Sequence, residues 1–94
     1  MPIFAVHYGY VSATAAGRDE HRPVHREWLA SLVAAGQVLS SGPYPDGSGA
    51  LIIFQSDSAE KLDALLATDP FAKAKVIDSV RAVQWQPVMG AFTS

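Results

Sequence analysis

Only the five residues "PDGSG" (45–49) separate "QVLSSGPY" (37–44) from "ALIIFQS" (50–56), and that spacing constrains the fold more than any other feature of the chain. Both flanking segments are apolar and β-prone, so both read as strands. A parallel pair would need a crossover of a dozen or more residues, whereas Asp-Gly turn chemistry closes an antiparallel hairpin directly. A parallel βαβ sheet is therefore disfavoured at the centre of the sequence.

The flanks complete the pattern. "IFAVHYGY" (3–10) is rich in β-branched and aromatic residues and predicts the first strand. "VSATAAGRDE" (11–20) is small, polar and glycine-containing, and predicts a loop. Pro23 suits the first turn of a helix, where a missing N–H costs nothing, and Gly36 is a plausible C-cap for "VHREWLASLVAAG". Asp57 with Glu60 resembles a capping box opening the helix "SAEKLDALLAT", which carries Leu62, Leu65 and Leu66 on one side. "DPFAKAK" predicts a short turn or helix, and "VIDSVRAVQWQP" (76–87) the last strand, stopped by Pro87. The order strand, helix, strand, strand, helix, strand predicts an α+β, ferredoxin-like βαββαβ domain: a four-stranded antiparallel sheet with two helices on one face. The expected domain covers residues 1–94, with the tail 87–94 left unassigned.

The faces of that sheet bear on assembly. In the first strand Ile3 and Ala5 lie opposite Phe4, Val6 and Tyr8. In the third, Leu51 and Ile53 oppose Ala50, Ile52 and Phe54; in the last, Val80 and Ala82 oppose Val83 and Trp85. Neither face is polar, yet two helices can cover only one. The expected solution is a homodimer whose sheets pack face to face.

Composition excludes several function classes. There are no cysteines, so a disulfide framework, a thiolate metal site and a cysteine nucleophile are ruled out, and a reducing cytoplasm is the expected location. The net charge is −2 and the seven Lys and Arg residues are dispersed, so no nucleic-acid partner is expected. Apolar runs are far too short to span a membrane, and "MPIFAVHYGY" shows no secretory signal.

Chemistry concentrates in "HRPVHREWL" (21–29). On a helix His25 lies in line with Leu29, Leu32 and Val33, so its ring points along the inward stripe, partly desolvated. Asp69 in "TDPF" is the candidate carboxylate, although Asp at an N-cap followed by Pro is also how helices begin. The two roles are compatible, since one carboxylate oxygen can cap while the other contacts a ring. His7 and His21 lack the tight spacing of a metal site, and a face shared by His21 and His25 is doubtful with Pro23 between them. "SSGP" lacks a nucleophile elbow, and the glycines of "PDGSGA" precede a strand and therefore cradle no phosphate. Neither a metal nor a cofactor is expected.

"RPVH" at the head of the first helix, the glycine and "GP" pattern across 29–43, the strand "GALIIF", "DPFAKAKV" and the final "VQW" together resemble the YciI-like (YCII-related) family. The resemblance runs from the first strand to Trp85. It implies a dimeric α+β barrel of ferredoxin-like protomers, with His25 and Asp69 as the family's active-site pair. It also implies a relation to dehydrochlorinases of chlorinated hydroxyquinols. The 11–20 segment departs from the short acidic stretch expected there, which bears on the pocket mouth.

Two functions follow as expectations. One is a cofactor-free lyase or isomerase on a small cyclic or aromatic-derived molecule, with His25 as general acid or base and Asp69 orienting its ring. Arg22 would then hold an anionic group, in a pocket walled by Tyr8, Trp28, Tyr44 and Phe71. The other is a non-catalytic, ligand-binding or accessory dimer in which His25 and Asp69 fasten the helix to the "DPF" corner.

Overall fold

The computed structural model describes residues 1–93. Their element order is β1 (Ile3–Gly9), α1 (Ala15–Ala34), β2 (Val38–Pro43), β3 (Gly49–Gln55), α2 (Ala59–Leu66), α3 (Pro70–Lys73) and β4 (Ser79–Trp85), with one 3₁₀ turn at Ser12–Thr14 before α1. The sheet is antiparallel throughout, in the order β2-β3-β1-β4, which is the ferredoxin-like arrangement.

Register decides which side chains meet. Phe4 pairs with Phe54, Val6 with Ile52 and Tyr8 with Ala50, and all six are buried beneath the helices. Leu32, Leu62 and Leu66 pack onto this face from α1 and α2. The opposite face presents Ala5, His7, Leu51, Ile53, Arg81, Val83 and Trp85, with no helix over it. Every residue of β4 is exposed.

The first helix starts earlier than its sequence suggests. The segment 11–20 is no loop: it holds the 3₁₀ turn and the first turns of α1, which runs for 20 residues with Pro23 in its interior. An internal proline removes one backbone hydrogen bond and ordinarily costs about 3 kcal/mol. Tertiary contacts offset that cost. The guanidinium of Arg18, only 6% exposed, donates to the carbonyls of Val11 and Val76 and to the Thr14 hydroxyl, and stacks 4.3 Å above the Tyr10 ring. Asp78 completes the clamp by accepting from the Val11 N–H and the Thr14 hydroxyl. Gly17 is a close-approach residue, since a Cβ there would stand 2.6 Å from Val76 Cγ1.

Smaller corrections have local causes. Ser58, not Asp57, is the N-cap of α2 and accepts from the Lys61 N–H, while Asp57 pairs with the Lys61 ammonium. Val33 is exposed, because at 100° per residue it lies well off the stripe of His25 and Leu32. The last strand begins only at Ser79, since Val76 turns into the core and Asp78 donates its N–H to the Gly9 carbonyl. Residues 87–93 form no helix or strand.

Candidate functional site

Asp69 and His25 are 44 residues apart in sequence and in direct contact in the fold. The extended backbone of Asp69 before Pro70 makes the corner that ends α2 and starts α3, and its Oδ1 caps α3 by accepting the Phe71 N–H at 2.9 Å. The same oxygen accepts from His25 Nδ1 at 2.7 Å, while Oδ2 accepts from the Tyr8 hydroxyl, also at 2.7 Å. Capping and ring contact thus share Oδ1, and the second oxygen serves Tyr8. Asp69 itself is 0% exposed.

This arrangement assigns the histidine tautomer. An ionised carboxylate only accepts, so the proton of the contact sits on Nδ1 and Nε2 of the neutral ring carries the lone pair. The ring is held flat by Phe71, stacked at 3.8 Å and 3°, with Trp28 more distant on a nearly parallel plane. Among the described residues every buried side-chain nitrogen and oxygen has a hydrogen-bond partner, and Nε2 has none. That atom is therefore not sealed in the core, and His25 lines a cleft of about 320 Å³ between α1 and the β2–β3 hairpin.

The cleft is lined by Arg22, His25, Arg26 and Leu29 of α1, by Ser41 to Pro43, by Ala50 and Ile52, and by Tyr10 and Phe71 at one end. Of the side chains expected around it, Arg22 and Phe71 line it directly. Tyr8 does not: it lies beneath, 2% exposed, with its hydroxyl on Asp69. Burial and the Asp69 carboxylate push the Tyr8 phenol far above its usual range. Trp28 is absent from the lining too; its indole N–H donates to the Thr68 hydroxyl, holding the corner next to Asp69. Tyr44 lies on the uncovered face of the sheet, where its hydroxyl meets His7 Nδ1 at 2.8 Å. His21 shares α1 with His25, and its Nδ1 contacts the Gly17 carbonyl.

Two contributors, Arg18 and Arg26, were not anticipated from the sequence, and a third, Tyr10, was one of the tyrosines that could line a pocket. Arg18 gave no local signal. Arg26 did: 22, 25, 26 and 29 are spaced i, i+3, i+4, i+7, one face of a helix. Tyr10 closes the end of the cleft, and burial, with the nearby Asp69 charge, raises its phenol pKa.

The profile of the YCII-related domain matches residues 3–86. The chain belongs to the YCII-related family. No curated protein sequence matches it significantly. Among solved structures, the fold is similar to that of the 5-chloro-2-hydroxyhydroquinone dehydrochlorinase TftG from Burkholderia phenoliruptrix AC1100, in complex with 2,5-dihydroxybenzoquinone. The TM-score is 0.78 at 19% identity, covering 89% of this chain and 93% of that one. At that identity the likeness speaks for the ferredoxin-like fold that the family shares. No helix among the described residues is long and apolar enough to cross a membrane.

Proposed function

We propose that the protein is a proton-transfer lyase or isomerase acting on a small hydroxylated ring, with His25 as general acid and base. One observation carries this reading: His25 contacts a buried carboxylate through Nδ1 and lines an open cleft, so its other ring nitrogen is available to a ligand there. Nε2 takes a proton from a ring hydroxyl, and the electron pair left on oxygen moves into the ring. The imidazolium, stabilised by Asp69, returns the proton to a ring carbon. Where that carbon carries chlorine, the again-neutral Nε2 takes a proton from a second ring hydroxyl as the C–Cl bond breaks, and release of that proton and chloride completes the elimination of HCl. The similar dehydrochlorinase and its bound dihydroxybenzoquinone support a substrate of this class.

The test is a panel of chlorinated and unchlorinated hydroxyhydroquinones, followed by chloride release and by exchange of ring hydrogen for solvent deuterium. Rates well above the buffer blank for at least one compound are expected. A blank result across the panel would leave the second reading, a ligand-binding dimer. Asp69 favours that alternative in one respect, because it also joins α1, β1 and α3 as a purely structural tie would.

We also place the partner on the uncovered sheet face. Val83 and Trp85 remain 38% and 43% exposed beside Ile53 and Leu51, an apolar surface of the kind that pairs with its own copy. Light scattering should give twice the chain mass of 10.0 kDa at micromolar concentration. Trp85→Glu should shift the protein towards monomer, and a wild-type monomer would refute the pairing.

A further inference from the structure

Arg22 and Arg26 stand one helical turn apart on either side of His25, and both reach the cleft that Nε2 faces. Among the described residues no carboxylate lines that cleft. Arg26 makes no ion pair among the described residues, so its guanidinium is uncommitted. Arg22 is held only by Asp19, at 2.5 Å in an i,i+3 surface pair whose carboxylate is 72% exposed. Such pairs contribute little, so exchanging Asp19 for a ligand anion costs little. Asp69, the buried acid behind His25, lies outside the cleft lining and makes no ion pair with either arginine among the described residues.

Much of the remaining wall is apolar. Leu29, Pro43, Ile52 and Phe71 give it a lower local dielectric than bulk water, which strengthens a charge pairing made against them. The exposed Ser41 lies on the hairpin side, opposite α1, with a hydroxyl free to hydrogen-bond a second substituent. A volume of about 320 Å³ lies at the small end of ligand sites, enough for one substituted ring but not for a nucleotide cofactor.

Resting on the proton-transfer reading of His25, we infer that the cleft selects a single planar ring bearing a delocalised oxyanion, gripped by Arg22 and Arg26. Arg26 is the specificity-determining residue, because a planar guanidinium meets two oxygens of such an anion at once. Charge, more than ring shape, separates substrates from non-substrates. Two sources share this chemistry: a ring carboxylate, and a ring hydroxyl acidified by conjugation to a carbonyl.

Calorimetric titration with two anions and their neutral counterparts tests it. Benzoate is set against benzamide, and 2,5-dihydroxybenzoquinone, ionised at neutral pH, against hydroquinone. At least one anion should bind about 10-fold or more tightly than its counterpart, and which one does so identifies the source. Arg26→Gln should erase that preference, added salt should weaken it, and Ser41→Leu should block binding by filling the cleft. His25→Asn should keep the charge preference while losing turnover, which separates the anion grip from proton transfer. Equal binding of charged and neutral rings, no binding of either anion, or an unchanged preference in Arg26→Gln would overturn the assignment. Turnover that depends on His25 without any charge preference would do so as well, leaving the proton-transfer reading intact.

Discussion

Replacing His25 by Asn should lower turnover by roughly 10²–10⁴-fold, the usual worth of a general acid–base group, with the fold retained. The amide N–H of Asn can still donate towards Asp69 Oδ1, so the corner keeps a partner for its buried carboxylate. What disappears is the lone pair that Nε2 presents to the cleft. Asp69→Asn probes the other half of the pair. Its amide offers a donor as well as an acceptor, so the tautomer is no longer fixed with the proton on Nδ1, and the fraction of rings carrying a basic Nε2 falls. The expected order of kcat is wild type, then Asp69→Asn, then His25→Asn, with near-ultraviolet circular dichroism confirming that each variant is folded. If His25→Asn turned over the wild-type substrate at the wild-type rate, the ring would be a structural tie and nothing more.

How much of this was legible in the sequence depends on whether the deciding contact is local. The hairpin spacing and the alternation of each strand are local, and with the order of elements along the chain they point to the four-stranded antiparallel sheet that is observed. His25 and Asp69 each carry a local signature, an inward helical position and an Asp-Pro corner, but those signatures are equally those of a core histidine and a helix cap, and it is the family resemblance that implies the two as a pair. The start of α1 was not reachable, because it depends on distant partners: Arg18 reaches Val76, and Gly17 packs on the same residue. In isolation a glycine in a small polar segment reads as a loop.

Tyr44 went astray for a different reason. Counting alternately from the buried Val38 puts residues 40, 42 and 44 on the helix side. The register of β2 shifts between Val38 and Ser40, however, so Ser41 pairs with Ile52 and Pro43 with Ala50. One extra residue inverts the parity of everything after it, which sends Ser41 and Pro43 to the cleft and Tyr44 to the uncovered face. Sequence alternation alone gives no warning of a bulge.

Tyr8→Phe should cost about 1–3 kcal/mol at neutral pH and should lose less further stability than the wild type as the solution is made alkaline. The neutral-pH cost arises because Asp69 Oδ2 loses its donor in a place that water does not reach. The alkaline behaviour follows from proton linkage. Burial, and the Asp69 charge beside it, raise the native phenol pKa far above the value of about 10 that an unfolded tyrosine keeps. Above that pH the unfolded chain releases the Tyr8 proton and the native protein retains it, so the native state binds more protons and stability falls as pH rises. This contribution is fully present below pH ~10 and is lost at up to about 1.4 kcal/mol per pH unit above it. Phenylalanine has no proton to release, so its stability curve should be shallower by that amount, with Tyr10, whose phenol is also raised, supplying part of the slope that remains. Urea unfolding of both proteins at intervals from pH 7 to pH 11 should give curves that start apart and converge (the pH limits bracket the phenol range). Parallel curves would mean that Tyr8 ionises in the native state, and that its hydroxyl is not the buried donor which holds Asp69 in place for His25.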